Sequence, residues 1–144
     1  MACQVREASE KDGAGVVALI AQLTSEMGGS SALTEDYVAG YLRFPGNHVL
    51  LAEEDGSILG LISFSVRPGL FHAADCALIE ELVVAAGRRG RGVGGMLLND
   101  LLVRLEQQGC AEVAVTTMPG NEGAARFYRS HGLVDEAVYL EKHF

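Results

Sequence analysis

The sequence predicts a mixed α/β fold: one sheet of antiparallel and parallel strands with helices on both faces. Three observations carry this reading. Apolar runs with strand spacing and with helical spacing interleave in the order β-α-α-β-β-β-α-β-α-β, with room for one further closing strand. The run Cys76 to Val84 is almost continuously apolar, as a strand covered on both faces must be. A turn dense in glycine and arginine then leads straight into a long amphipathic helix.

Each element has a local cause. Residues 3–8 form a short first strand. Ser9 and Asp12 make a near capping box that introduces a helix over about 13–26, with Val16, Val17, Leu19, Ile20 and Leu23 on its apolar face and Gly28-Gly29 as its stop. Thr34 caps a second helix carrying Tyr37, Val38, Tyr41 and Leu42, ended by Phe44-Pro45-Gly46. His48–Glu53 reads as a strand, Glu54-Asp55-Gly56-Ser57 as a hairpin turn and Ile58–Arg67 as the partner strand. There Ile58, Ile62, Phe64 and Val66 alternate against Ser63 and Ser65. Residues 68–75 read as a loop before the apolar strand. Val93, Leu97, Leu98, Leu101, Leu102 and Leu105 give the following helix one broad face, and Gly109 ends it. Ala111–Thr117 is a strand and Glu122–His131 a helix stopped by Gly132. Val134, Val138 and Leu140 in the tail supply one or two closing strands.

Bulk properties narrow the function. The 144 residues, 49% apolar and 21% charged, fit a single globular domain spanning 1–144. No apolar run has the length of a membrane span, and the first residues lack the pattern of a signal peptide, so a cytoplasmic location is expected. Cys3, Cys76 and Cys110 have no metal-like spacing and read as free thiols, the latter two in the core. A net charge of −8 argues against nucleic acid or an acidic membrane as partner.

Against that acidic background Arg88, Arg89 and Arg91 surround Gly90, Gly92, Gly94 and Gly95. A helix N-terminus presents unpaired N–H groups and roughly half a positive charge, and glycines let a phosphate come close to them. The turn is an anion cradle suited to a pyrophosphate. Gly90, Gly92 and Gly95 also match the dinucleotide fingerprint G-x-G-x-x-G, but the next strand ends Val115-Thr116-Thr117-Met118 without the acid that would hold a ribose. No Gly-Lys-Ser/Thr follows, so a nucleotide P-loop fails as well.

The text Arg89-Gly90-Arg91-Gly92-Val93-Gly94 fits the Arg/Gln-x-x-Gly-x-Gly/Ala signature of the GNAT superfamily of acetyl-CoA-dependent N-acetyltransferases. Ile79-x-x-Leu82-x-Val84 resembles that family's fourth strand. Asn121-x-x-Ala124-x-x-Phe127-Tyr128-x-x-x-Gly132-Leu133 resembles its second motif, and Val5-Arg6-Glu7-Ala8 with Asp12 its opening strand and turn. The resemblance spans essentially the whole chain. Two departures, Ala86 for a frequent proline and Leu133 for a phenylalanine, leave the chemistry untouched.

The resemblance implies acetyl-CoA as cosubstrate, its pyrophosphate on the amides of Arg89, Gly90, Arg91, Gly92, Val93, Gly94 and Gly95. Its pantetheine arm would lie along the backbone of Leu82, Val83 and Val84, with an N–H near Val83 polarising the thioester carbonyl. Asn121 corresponds to a residue that bonds the arm, although a helix N-cap explains it nearly as well. Tyr128 is the candidate general acid, a phenol of pKa near 10 beside a forming thiolate; packing against Phe127 is the alternative. For the base, position 78 is apolar here, so Glu80 is favoured. Glu81 comes second, because strand neighbours face opposite ways unless a bulge intervenes. Structural pairing of both carboxylates with cations remains the competing explanation. His72 and Asp75 are further candidates to line the acceptor site.

These features imply direct transfer in a ternary complex to a primary amine of a small molecule, with a weak likeness to aminoalkylphosphonate and aminoglycoside N-acetyltransferases. The acidic balance favours a cationic acceptor over a phosphonate. A protein or peptide N-terminal acetyltransferase and a non-catalytic acyl-CoA sensor are the rivals. Homodimers are common in the family.

Overall fold

The computed structural model describes residues 2–144. Five strands form one sheet in sequential order: β1 (Gln4–Glu7), β2 (Asn47–Glu54), β3 (Ser57–Gly69), β4 (Ala74–Val84) and β5 (Glu112–Val115). The first four are antiparallel to their neighbours and β5 is parallel to β4. The helices are α1 (Gly13–Glu26), α2 (Glu35–Arg43), α3 (Val93–Gln107) and α4 (Glu122–Ser130).

Two packing layers lie on opposite faces of the sheet. α3 buries Val93, Leu97, Leu98, Leu101 and Leu105 against Leu50, Ala52, Ile62, Phe64 and Ile79, and Tyr128 of α4 joins them. On the other face Val16 and Leu19 of α1 and Val38 of α2 cover Val49, Leu51, Leu61 and Val83. β2 reads Val49, Leu50, Leu51, Ala52 without a polar break because alternate side chains feed alternate layers.

The first turn is held by charge. Ser9 donates its backbone N–H to Asp12 Oδ2 at 2.7 Å, and a short 3₁₀ turn over Glu10–Asp12 runs into α1. Arg6 donates to both Asp12 oxygens, at 2.9 and 2.8 Å, and its Nε donates to Glu53 Oε2 at 2.9 Å, tying β1, the turn and β2 together.

Three expectations are corrected. Half of residues 68–75 is strand, since Pro68 pairs with Asp75 and Gly69 with Ala74; the turn itself is 70–73, with Ala73 at φ 52°. Ile58 does not share a face with Ile62 and Phe64. The β2–β3 register shifts beside Ala52 and Glu53, so Leu59 and Ile62 pack under α3 while Ile58 and Leu61 pack under α1. The tail forms no closing strand among the described residues: Val134, Val138 and Leu140 are exposed. Gly132 (φ 93°) ends α4, and Arg129 clips Asp135 through two bonds of 2.9 Å. The chain is thereby held at the end of α4 instead of being laid along β5.

Candidate active site

β4 and β5 pair from Cys76↔Glu112 to Ile79↔Val115, and there the pairing stops. β4 continues to Val84 with β3 still on one side, so its other edge opens over Glu80–Val84. A cleft of about 560 Å³ occupies this splay. Leu82, Val83 and Val84 form one wall, and Asn121, Phe127 and Tyr128 another. Leu23 and Val83 belong to the α1 layer, Leu82 and Tyr128 to the α3 layer; the cleft therefore runs through the sheet and not along one face.

Arg89 and Gly94 stand at the end of the cleft where α3 begins. The N-cap of α3 is Gly92, left-handed at φ 80° and ψ 10°, and no side chain caps it. The first bond of the helix is from the Met96 N–H to the Gly92 carbonyl at 3.0 Å, so the preceding amides point outward without a helical partner. Gly90 (φ 75°) and Gly92 both adopt a backbone that side chains rarely take, and a Cβ at either would meet nothing within 4 Å. An open, positively polarised nest results, and it fits a pyrophosphate.

The arginines are balanced by carboxylates. Arg89 holds Glu26 at 2.6 Å and keeps its carboxyl below the ordinary range; Arg88 and Arg91 share Glu54 at 3.7 and 4.0 Å. Val93 contributes an amide, its side chain being core. Gly95 lies beside His131: a Cβ there would be 3.8 Å from Nε2, while Nδ1 lies 2.8 Å from the Phe127 carbonyl. With Nδ1 holding a proton for that carbonyl, Nε2 faces the start of α3. In the sequence His131 signals only the end of a helix; its place beside Gly95 follows from the packing of α4 against the start of α3.

Glu80 and Glu81 resolve through a bulge. Ser63 pairs with Glu81 and Phe64 with Ile79, leaving Glu80 unmatched. Ile79 and Leu82 consequently both pack under α3, while Val83 packs under α1, and the two carboxylates share the α1–α2 face. The expectation that only one of them faces the acceptor side is corrected by this bulge. Glu81 is tethered: Ser63 Oγ donates to its carboxylate and accepts its backbone N–H at 3.0 Å. Glu80 is raised above the ordinary carboxylate value by partial burial and then by Glu81, and no cation is among the groups acting on it.

Two further tyrosines border this pair. Tyr41 on α2 is pushed up to about 12 by burial, then by Glu81 and Glu80. Tyr139 in the tail is raised chiefly by Glu141, with Glu80 contributing. Tyr41 was legible only as part of a helix face; its hydroxyl matters because α2 lies across the bulge.

Tyr128 is 9% exposed, its ring edge-on to Phe127 at 5.2 Å, and burial raises its hydroxyl above the ordinary phenol value. Asn121 caps α4, its Oδ1 accepting the Ala124 N–H at 3.1 Å, so the capping explanation holds and only its amide group is left for the cleft. Gln22 donates to the Val84 carbonyl at 2.9 Å and accepts the Ala86 N–H at 3.1 Å, fixing the end of β4 and occupying one of the strand's acceptors. Glu80 does not line the cleft with Tyr128; the two stand on opposite sides of β4 where it opens. His72 and Asp75 lie at the other end of the strand.

The model of the acetyltransferase (GNAT) family matches residues 17–133. The chain belongs to that family. An aminoalkylphosphonate N-acetyltransferase of Salmonella typhimurium is 31% identical over 142 residues, covering 99% of this chain and 88% of that protein. An L-2,4-diaminobutyric acid acetyltransferase of Streptomyces avermitilis is 30% identical over 89 residues, covering 61% of this chain and 48% of its own length. The fold is that of a putative acetyltransferase from Agrobacterium tumefaciens, with a TM-score of 0.88 at 24% identity and coverage of 98% and 99% of the two chains. The protein is an N-acetyltransferase of the GNAT type. No helix among the described residues is long and apolar enough to cross a membrane.

Proposed function

We propose that this GNAT protein moves the acetyl group of acetyl-CoA to a primary amine of a small molecule, by direct attack within a ternary complex in the cytoplasm. The observation that carries the reading is the cleft through the β4–β5 splay, with an uncapped helix N-terminus at one end, two carboxylates on one face and a buried phenol on the other. Bound acetyl-CoA supplies an activated thioester; the remaining work falls to the chain. The amides of Arg89 to Gly95 hold the pyrophosphate, and Arg89 adds positive charge at the rim. The open edge of β4 at Leu82 and Val84 hydrogen-bonds the pantetheine arm as an added strand would. The Val83 amide is turned to Leu61 of β3, so the neighbouring Leu82 N–H is the one that polarises the thioester carbonyl. Asn121 bonds the arm through its amide group.

Glu80 accepts the proton of the attacking amine, directly or through one water. Its raised pKa suits a base working near neutrality, and it has no cation holding it. Glu81, tethered to Ser63, keeps a second negative charge beside it and favours a cationic acceptor. Tyr128 protonates the departing thiolate. None of Cys3, Cys76 and Cys110 lines the cleft, which supports direct transfer without an acyl-enzyme.

The relatives' names direct the choice of acceptor panel: aminoalkylphosphonates, diaminobutyrate and polyamine-like sugars, against peptides with free N-termini. Incubation with acetyl-CoA and free-thiol release measures turnover. Release with one small-amine class and not with peptides is the expected result. Tight acetyl-CoA binding with no acceptor-dependent release across the panel overturns it in favour of a sensor.

A further inference from the structure

At the end of β4 away from the cleft, three side chains from three elements converge. In the parallel β4–β5 pair Cys76 stands opposite Glu112. Ala77 and Val113, one residue on in each strand, pack under α3, so Cys76 and Glu112 project together from the other face. His72 comes from the β3–β4 turn, one residue before the left-handed Ala73, and its Nε2 lies 3.4 Å from Glu112 Oε2. The His72 nitrogen, the Cys76 sulfur and a Glu112 oxygen all lie within 4.8 Å of one another.

These distances are close to those of a metal site. For zinc with metal–ligand bonds of about 2.0–2.3 Å, the edges of a tetrahedron are about 3.4–3.6 Å. The His72–Glu112 edge, at 3.4 Å, already has this length, and the sulfur must close by at most about 1.4 Å. The sulfur is held in place: Cys76 is buried, and its Sγ occupies space that a Cβ on Gly69 would enter to within 2.7 Å. His72 and Glu112 remain part-exposed, which leaves an entry path and an open side. One imidazole, one thiolate and one carboxylate form a donor set suited to zinc more than to magnesium or calcium, which prefer oxygen alone. In the metal-free chain the Cys76 thiol donates to the Ala74 carbonyl at 3.8 Å, a weak bond that a metal–thiolate bond would replace.

We propose that His72, Cys76 and Glu112 bind a zinc ion, with water completing the tetrahedron, and that the ion fastens the β3–β4 turn to the edge strand β5. Binding releases the Cys76 thiol proton to solvent, and the thiolate, neutral His72 and Glu112 carboxylate donate to the metal. The site lies about 13 Å along β4 from Glu80, four residues at about 3.3 Å each, so its role is structural and separate from acetyl transfer.

The test uses the tag-free full chain after removal of metal. Zinc is titrated in competition with a chromophoric chelator, cobalt(II) is used as a spectroscopic probe, and thermal unfolding is followed with and without zinc. One zinc per chain is expected, with a thiolate-to-cobalt charge-transfer band and a rise in Tm on zinc addition. Cys76→Ser should abolish the band and weaken zinc binding at least tenfold, His72→Ala should weaken it similarly, and Cys110→Ser should change neither. Zinc affinity unaltered in Cys76→Ser, or a cobalt spectrum without the charge-transfer band in the unaltered chain, overturns the site. If Cys76→Ser fails to fold, the His72→Ala and Cys110→Ser pair decides it.

Discussion

Replacing Tyr128 by Phe removes one hydroxyl and little else. The ring is 9% exposed and its edge-on contact with Phe127 at 5.2 Å survives, so stability should change by no more than about 0.5 kcal/mol. If the hydroxyl delivers the proton to the leaving thiolate, kcat should fall by about 10²–10⁴, the usual span for a positioned general acid. At 1.36 kcal/mol per decade this is about 2.7–5.4 kcal/mol of transition-state stabilisation. Burial raises the hydroxyl further above its ordinary value of 10, so it stays protonated through neutral and mildly alkaline pH. The unaltered enzyme should then show no loss of rate from this group below that value. The assay is steady-state thiol release at saturating amine, with acetyl-CoA varied and Tm measured on the same preparations. The KM for acetyl-CoA should hold, and an acetyl donor with a more acidic thiol should recover part of the lost rate, because its leaving group needs the proton less. A variant with unchanged kcat refutes the assignment. So does a variant whose loss is the same for both donors, since that would trace the defect to packing.

Glu80→Gln should lower kcat by about 10²-fold or more while raising stability at neutral pH. Folding lifts the Glu80 carboxyl above its ordinary 4.5, so the charged form is disfavoured in the native state. Stability from this group is full below 4.5 and is lost as pH rises through the lifted value. The Tm advantage of the variant should be seen at pH 7 and vanish below pH 4.5, and an advantage that persists in acid contradicts the reasoning. Asp12→Asn tests the opposite sign. Arg6 holds the Asp12 carboxyl at about 2 against an ordinary 3.8, equivalent to about 2.4 kcal/mol as an upper bound, and screening at the part-exposed Arg6 reduces the expected loss to about 1–2 kcal/mol. The loss should be full above 3.8 and gone by about pH 2, as urea unfolding at several pH values will show. Gly94→Ala should fold, since the new Cβ would sit 3.7 Å from Phe127 and Val84, an ordinary contact. Its methyl narrows the cleft wall, so the KM for acetyl-CoA should rise about tenfold with kcat nearly kept, a cost of about 1.4 kcal/mol in binding.

The elements were legible where one spacing persisted. α3 spends Val93, Leu97, Leu98, Leu101 and Leu105 on one face, and α1 runs over the span its caps predict. The glycine turn was legible too, because glycines and arginines set directly before an amphipathic helix mark an anion cradle; that Gly92 is the left-handed residue starting the helix came from the structure. What could not be read is what depends on register between strands. Nothing in Ile79-Glu80-Glu81-Leu82 says which residue has no partner on β3, yet that one extra residue turns both carboxylates to the same face. Ile58 was misplaced for the same reason. Glu112 did not stand out because its meaning comes from lying opposite Cys76 in a parallel pair, forced by the length of α3 and its loops.

The bulge and the splay have a common cause, and it explains why the site sits where it does. A bulge sharpens strand twist and leaves a residue without a ladder partner. Here Glu80 is the unmatched residue, and the β4–β5 ladder ends at the residue before it. Past that point β4 keeps only its bonds to β3, with Gln22 and Leu59 fixing its far end through Val84 and Ala85. One backbone irregularity therefore does two things. It exposes a strand edge of the length an extended ligand can pair with, and it places two carboxylates beside that edge with one tethered by Ser63 and the other free. Regular pairing of the same sequence past Ile79, without the bulge, would put Glu80 opposite Ser63 and Glu81 opposite Ile62, in the α3 layer, a buried charge without a partner costing several kcal/mol. The irregularity is thus held in place by the burial pattern of its own strand, and the opening for the substrate follows from it.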